Sequence, residues 1–195
     1  MSIYSVGRWI CRSYFRLFFK VEVIGASRIP DEGGLLLCCN HFSNYDPPFV
    51  GSFFPRKVRF MAKEELFRFK PLQSLMMAVG AFPVRRGAGD KQALKVGLKL
   101  LKEGETLGIF PEGTRSKDGQ IGKGLSGVGF FALRSDATVV PCAIVGKYRF
   151  FRKVRFVIGE PVPMEELKER KASAEEATEV IMKAIRKLHE QNQMS

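Results

Sequence analysis

Short apolar segments alternate with amphipathic ones along this 195-residue chain, and this alternation constrains its fold more than any other feature. The apolar run Leu35–Cys39 is typical of a strand that is buried on both faces. Leu94, Leu98 and Leu101 instead recur at the spacing of one helical face. Because strands that alternate with helices form a sheet covered by helices, we expect a single α/β domain whose central sheet is mostly parallel or mixed.

The same reasoning locates the other elements. Strands are predicted at Lys20–Ile24, Leu35–Cys39, Val58–Ala62, Ala81–Val84, Leu107–Phe110, Thr138–Val145 and Val154–Ile158. Helices are predicted in the first 20 residues, after Asp46, at Glu64–Phe69, Pro71–Val79 and Val128–Arg134, and around Leu94–Leu101. Ser173 and Glu176 form a capping box that begins a long C-terminal helix.

The first chemical motif, Asn40 to Pro47, follows the buried strand Leu35–Cys39 and contains His41 and Asp46. An unprotonated imidazole can take a proton from an alcohol, and a carboxylate can fix its tautomer. Two residues five apart lie about 140° around a regular helix, so only a loop that enters a helix could bring this pair together. Asp46, followed by two prolines, is also predicted to cap that helix. A buried structural histidine and a simple helix cap are the alternatives.

The second motif is Phe110-Pro111-Glu112-Gly113-Thr114-Arg115-Ser116, which follows a predicted strand. It combines flexible backbone with an arginine, whose planar fork suits a phosphate. A base beside an anion site predicts the acylation of an alcohol that carries a phosphate. The alternative is a surface turn with a solvated arginine.

These motifs resemble the glycerolipid acyltransferase family, in particular the 1-acylglycerol-3-phosphate acyltransferases. Four segments match the family's blocks in order: Asn40-His41 with Asp46-Pro47, Gly80 to Arg86, Phe110 to Ser116, and Val139 to Ile144. A histidine separated from an aspartate by four intervening residues is common by chance, whereas the heptapeptide is far more specific. The four ordered blocks together make a coincidence improbable.

The resemblance implies that residues 21–195 form an acyltransferase domain of phospholipid biosynthesis. The expected reaction moves an acyl group from acyl-CoA or acyl carrier protein to the sn-2 hydroxyl of lysophosphatidic acid, forming phosphatidic acid, and it needs no metal or redox cofactor. The resemblance implies that His41 and Asp46 are catalytic. It also implies an acceptor-binding set of Lys63, Arg86, Glu112, Gly113, Thr114 and Arg115.

Two alternatives to this function remain. The acceptor could be glycerol 3-phosphate or another lysolipid, or the chain could be a non-enzymatic basic module that binds anionic membrane or nucleic acid. The His41–Asp46 pair argues against the module. One departure also affects the acceptor contacts: Leu125 stands where many family members carry a lysine two residues before a glycine, here Gly127, and Lys123 is the nearest candidate substitute.

The charge is large and uneven. The chain carries a net charge of +12, and because residues 160–195 carry −2, residues 1–159 carry +14. Such a surface attracts anionic partners, namely nucleic acid, acidic phospholipid or an acidic carrier protein. Nucleic acid is disfavoured because no nucleic-acid-binding motif accompanies the charge.

The first 20 residues predict an amphipathic helix. Its basic residues recur every fourth position, at Arg8, Arg12, Arg16 and Lys20, and Ile3, Val6, Ile10 and Leu17 lie roughly opposite. We expect residues 1–20 to be a membrane-interface helix, with a packed helix of the domain as the alternative. Since no secretory signal or spanning segment is evident, the expected location is peripheral, on the cytoplasmic face of the cell membrane.

We assign no chemical role to Ser43, the four cysteines or His189. Ser43 lies near His41 but outside any nucleophile elbow, so direct transfer is favoured over an acyl-serine. The four cysteines lack metal-site spacing and suit a reducing compartment. His189, near the end of the last predicted helix, is expected at the surface.

Overall fold

A computed structural model describes residues 3–70, 73, 76, 80–84, 90–116 and 118–193. Within these residues the strands are β1 (Lys20–Ile24), β2 (Leu35–Cys39), β3 (Val58–Lys63), β4 (Phe82–Val84), β5 (Thr106–Ile109), β6 (Thr138–Val145) and β7 (Lys153–Ile158). The helices are α1 (Ile3–Phe18), α2 (Asp46–Phe53), α3 (Lys91–Lys102), α4 (Gly127–Arg134), α5 (Glu165–Glu169) and α6 (Ala174–Gln191). Two short 3₁₀ helices span Ala26–Arg28 and Glu64–Phe67.

The strands of the described residues form one sheet in the order β1-β7-β6-β2-β5-β3-β4. Neighbouring strands are parallel except β6 and β7, which are antiparallel. The single α/β domain with a mixed sheet is therefore confirmed. Because β2 runs parallel to β5 and β6, the carboxyl ends of these three strands meet at one edge, the edge at which open α/β sheets bind ligands.

The buried strand β2 separates two hydrophobic cores. Leu35, Leu37 and Cys39 face a phenylalanine-rich core that includes side chains of α1 and α2. Leu36 and Cys38 face a second core that α3, α4 and α6 cover. This alternation of faces explains why every residue of β2 is apolar, and it fixes the direction in which the strand delivers the following residues to the sheet edge.

Helix α1 packs on α2 in an orientation that the sequence did not predict. Arg8 donates hydrogen bonds to the carbonyl oxygens of Ser52 and Phe54, and the guanidinium groups of Arg12 and Arg16 lie over the Phe53 ring. These arginines thus contact α2 alongside the buried Phe15. The exposed face is apolar instead: Ile3 (69%), Val6 (40%), Trp9 (66%), Ile10 (54%) and Leu17 (69%).

Most other predicted elements agree with the structure to within about three residues. Ser173 caps α6 by accepting a hydrogen bond from the Glu176 N–H, but the Glu176 carboxylate pairs with Arg170 and does not complete a capping box. The short helix α5 was not predicted. The helix predicted at Pro71–Val79 lies almost wholly outside the described residues.

Among the described helices, none combines the length and apolarity needed to cross a membrane.

Candidate active site

Asn40 and His41 follow β2 at the sheet edge. The Asn40 side-chain amide donates to the Ile144 carbonyl oxygen (3.0 Å) and accepts from the Ile144 N–H (2.8 Å). This two-way contact extends the pairing of β2 with β6 beyond the last backbone pair. His41 consequently begins from a fixed point of the sheet, and its side chain is 11% exposed.

The structure brings His41 and Asp46 together, as the loop prediction required. The His41 Nδ1 lies 2.8 Å from the Asp46 Oδ2, and the same oxygen accepts hydrogen bonds from the N–H groups of Phe42 (2.6 Å) and Ser43 (2.7 Å). Because an anionic acceptor faces Nδ1, that nitrogen carries the proton of the neutral ring, and Nε2 presents a lone pair. The arrangement suits a general base.

Asp46 does not cap α2 in the way the sequence predicted. It is the first residue of the helix, the preceding position is Tyr45, and no side-chain hydrogen bond caps the helix start. The carboxylate instead accepts from the loop N–H groups of Phe42 and Ser43, which lie before the helix. The cap prediction was wrong because the carboxylate is engaged by these loop N–H groups and by the His41 ring.

Tyr148 is a site residue that the sequence reasoning missed. Its hydroxyl donates to the Asp46 Oδ1 at 2.9 Å, so both carboxylate oxygens are engaged. Burial, and then the charge and hydrogen bond of Asp46, raise the pKa of Tyr148 well above its usual value, which keeps the phenol a donor. A signal existed in the sequence, because Tyr148 lies three residues after the end of β6, at the same sheet edge as His41.

The heptapeptide loop lies against the histidine. The Phe110 ring stacks on the His41 ring with centroids 4.2 Å apart, and Phe60 stacks behind it at 5.7 Å. The Ser116 N–H donates to the His41 carbonyl oxygen at 2.8 Å. Gly113 turns the loop with a φ of 67°, a conformation that costs a glycine little. The two sequence motifs thus form one site.

Glu112 belongs to this loop, but its side chain is buried and only 8% exposed. Its Oε1 has no hydrogen-bond partner among the described residues. Burial raises the pKa of Glu112 to about 7, helped by the charges of Asp46 and Asp118 and opposed by a hydrogen bond to the His41 backbone. The carboxyl therefore supports the backbone at His41, and its role in substrate binding stays a prediction.

The remaining predicted substrate-binding residues differ in position. Thr114 and Arg115 are exposed on the heptapeptide loop, and within the described part of the chain no ion pair engages Arg115. Lys63, at the end of β3, lies 3.0 Å from the Glu65 carboxylate. Arg86 lies outside the described residues.

Leu125 occupies the position at which the family often carries a lysine. Its N–H donates to the Pro111 carbonyl oxygen at 2.8 Å. A Cβ added to Gly113 would lie 2.4 Å from the Leu125 side chain, so this leucine packs directly against the heptapeptide turn. It is still 62% exposed, which leaves an apolar side chain on the surface at this position. Lys123 is exposed nearby in the chain.

Cys38, Cys39 and Cys142 are buried, and burial raises the pKa of each thiol. These thiols stay protonated and are poor nucleophiles. His189, expected at the surface, is partly buried, and its ring meets that of Phe42 edge-on at 5.7 Å. Burial lowers the pKa of His189.

The family is decided by comparison with known proteins. A family model described as acyltransferase matches residues 20–145, which include both motifs of the site. The chain belongs to the acyltransferase family. The match ends with β6, so helix α1 and the C-terminal elements after β6 lie outside it.

Named relatives share one description. The 1-acyl-sn-glycerol-3-phosphate acyltransferase of Bacillus subtilis is 35% identical over 169 residues, covering 80% of this chain and 83% of the relative. The enzyme of that name from Borreliella burgdorferi is 29% identical, covering 69% of this chain and 54% of the relative. A chloroplastic enzyme of that name from Arabidopsis thaliana is 27% identical, covering 66% of this chain and 37% of the relative.

The fold also has a solved counterpart. A crystal structure of the 1-acyl-sn-glycerophosphate acyltransferase from Thermotoga maritima superposes with a TM-score of 0.74 at 24% identity. The match covers 95% of this chain and 80% of that one. At this level of identity the likeness concerns the fold, and it extends through the elements that the family model does not cover.

Proposed function

We propose that this acyltransferase moves a fatty acyl group from a thioester donor to the sn-2 hydroxyl of 1-acylglycerol 3-phosphate, forming phosphatidic acid. The observation that carries the proposal is the buried His41–Asp46 contact of 2.8 Å beside the heptapeptide loop. Support comes from the Bacillus subtilis relative, which bears that activity in its name at 35% identity.

In the proposed reaction the acceptor hydroxyl lies beside the Nε2 of His41. His41 removes the hydroxyl proton as the oxygen attacks the thioester carbonyl carbon, and Asp46 stabilises the imidazolium that forms. The tetrahedral intermediate then collapses, the carbon–sulfur bond breaks, and His41 returns its proton to the thiolate. An ester and a free thiol result. We propose that this exchange uses no metal or redox cofactor, because the base and the thioester supply what acyl transfer requires.

We propose that Arg115, Arg86 and Lys63 hold the acceptor's phosphate. Arg115 follows β5 and Lys63 ends β3, which pairs with β5, so both belong to the half of the sheet next to His41. An exposed arginine without an ion-pair partner in the described residues keeps its fork available for a phosphate. In this proposal Gly113 and Thr114 shape the turn that presents Arg115.

We propose that the exposed apolar face of α1 enters the surface of a membrane, which places the protein at the membrane periphery. The side chains of this face are more than one-third exposed, while Arg8 donates hydrogen bonds to the domain. Trp9 is the one tryptophan of the chain and is 66% exposed on this face. Its fluorescence should shift to shorter wavelength when anionic vesicles are added, and an unshifted spectrum would contradict the insertion of α1.

The function is tested by measuring free thiol release from long-chain acyl-CoA and from acyl carrier protein thioester. We expect release to depend on added lysophosphatidic acid, and a panel with glycerol 3-phosphate and other lysolipids defines the acceptor. Thiol release at the same rate with and without lysophosphatidic acid would contradict the proposal.

Arg115 gives a second test of the acceptor site. Arg115→Ala should raise the apparent KM for lysophosphatidic acid more than that for the donor, because it removes a phosphate contact. Arg115→Lys should restore only part of the loss, since a point charge replaces a planar fork. An unchanged acceptor KM in both variants would remove Arg115 from the site.

A further inference from the structure

A basic cavity lies at the junction of β6, β7 and β1, and residues of the loop that carries Tyr148 line part of it. Its volume is about 690 Å³, and it is bordered by Lys20, Lys147, Arg149, Arg152, Lys153 and Arg155. The sheet order separates this cavity from the proposed acceptor cations, since β1 and β7 lie on one side of β2 and β5 and β3 on the other. The cavity is therefore a second basic surface.

The charges of this cavity are largely uncompensated. Glu22 pairs with Lys153 and Arg155, at 2.6 Å each. The other four cations have no ion-pair partner within the described part of the chain: Lys20, Lys147, Arg149 and Arg152. Like charges gathered in a concave surface focus the field and favour an anionic ligand.

Phe151 borders the cavity, and Phe150 precedes it in the chain. Phe150 and Phe151 are 62% and 67% exposed, although large apolar side chains are normally buried. Phe151 has a φ of 60°, a left-handed conformation that is strained for a bulky residue, and its N–H donates to the Phe18 carbonyl oxygen at 2.7 Å. The fold thus maintains an exposed ring at a conformational cost.

This aromatic pair is joined to α1. The Phe150 ring contacts the rings of Phe18 and Phe19, with centroids 5.5 and 5.8 Å apart. Leu17, which precedes Phe18 in α1, is 69% exposed. Exposed apolar surface therefore extends from the helix end to the residue 146–152 loop, directly beside the cations.

We propose that Lys20, Lys147, Arg149 and Arg152 form a binding site for the phosphate-bearing headgroup of an anionic phospholipid. The phosphate would contact Arg149 and Arg152, and the rings of Phe150 and Phe151 would enter the apolar layer beneath the headgroups. A bilayer is favoured over an acidic protein because it presents anions and an apolar phase side by side across both the loop and α1. This inference goes beyond the proposed acyl transfer and does not depend on it.

The charge component is tested with Arg149→Gln/Arg152→Gln and a control that removes the same charge from α3, Lys95→Gln/Lys102→Gln. Co-sedimentation is measured with phosphatidylcholine vesicles that contain or lack phosphatidylglycerol. At about 1 kcal/mol for each basic side chain near such a surface, the first variant should bind anionic vesicles about 30-fold more weakly. The control should retain most of the wild-type affinity. Equal losses in both variants, or no loss in the first, would overturn the site.

The aromatic component is tested with Phe151→Gly. Glycine adopts positive φ freely, so the variant should melt at the wild-type temperature or above it while losing vesicle affinity. Retained vesicle affinity would overturn the role of the ring.

Soluble glycerol 3-phosphate separates a lipid site from a free-phosphate site. If it binds the wild type but not the Arg149→Gln/Arg152→Gln variant, while vesicles bind both equally, the lipid proposal is wrong. Thiol release with a short-chain, water-soluble acceptor should be unchanged in every variant. If the wild type released no thiol with this acceptor, the proposed reaction would be contradicted. The comparison of vesicle binding would still be valid.

Discussion

At the residue scale, the site depends on how firmly the Asp46 carboxylate is held. Four donors contact it: the His41 ring, the N–H groups of Phe42 and Ser43, and the Tyr148 hydroxyl. Hydrogen bonds to a charged group are each worth about 1.5–3 kcal/mol. Tyr148 is the donor whose removal leaves the backbone intact, so it offers a direct test of this support.

Tyr148→Phe should lower kcat about tenfold, because one charge-assisted hydrogen bond no longer orients the carboxylate that orients His41. Tyr45→Phe, in the same aromatic cluster, is the matched control and should keep the wild-type kcat. A lower melting temperature with a wild-type kcat would reduce Tyr148 to a packing role.

Glu112 should make stability depend on pH. Its pKa rises from 4.5 to about 7 in the folded protein, so the protonated carboxyl favours folding below pH 4.5, and this contribution is lost as the pH rises through 7. Glu112→Gln keeps the shape and removes the titration. Urea unfolding at mildly acidic and mildly basic pH should show the wild type losing about 2–3 kcal/mol more than the variant. Equal losses would contradict the buried, titrating carboxyl.

At the element scale, α1 turns its apolar residues outward and contacts α2 through Arg8, an arrangement that the sequence did not predict. The four-residue recurrence correctly predicted an amphipathic helix, but periodicity cannot tell which face meets the domain. Arginine side chains have long apolar stems and donor-rich ends, so Arg8 can pack on α2 and bind its last carbonyl groups. Contacts with residues more than forty positions away in the chain therefore determine which face of α1 packs on the domain.

This orientation predicts separate effects for the two faces. Arg8→Ala should lower the free energy of unfolding by about 1–2 kcal/mol, because two carbonyl contacts are lost. Arg16→Ala, at an exposed position of the same helix, should lower it less. Ile10→Ser/Leu17→Ser should leave the melting temperature near that of the wild type and weaken vesicle binding. Arg8→Ala at wild-type stability would contradict the packed basic stripe.

Other elements show where sequence reasoning works and where it ends. The strand Leu35–Cys39 and the strand Thr138–Val145 have the predicted bounds, because continuous apolar runs flanked by polar or turn residues admit few other structures. The antiparallel entry of β7 between β6 and β1 was not predictable, since strand order depends on contacts between distant segments. Tyr148 was not predicted for the same reason, because its partner Asp46 lies 102 residues earlier in the chain.

At the scale of the whole molecule, the chain separates its chemistry from its surface contacts. Arg115 follows β5 and Lys63 ends β3 on one side of β2, while the basic cavity lies at β6, β7 and β1 on the other side. The sequence shows the anion-attracting charge of +14 in residues 1–159, but it does not show where on the surface this charge lies. The folded chain divides that charge between an acceptor side and a proposed lipid side.

The central claim is that His41 is the base that activates the acceptor hydroxyl. The most direct measurement is the rate of thiol release with lysophosphatidic acid for wild type and His41→Ala, with folding of the variant checked by circular dichroism and melting temperature. Loss of a general base costs about 10²–10⁴-fold, so the folded variant should retain at most about one-hundredth of the wild-type rate. A folded His41→Ala protein that releases thiol at near the wild-type rate would contradict the account.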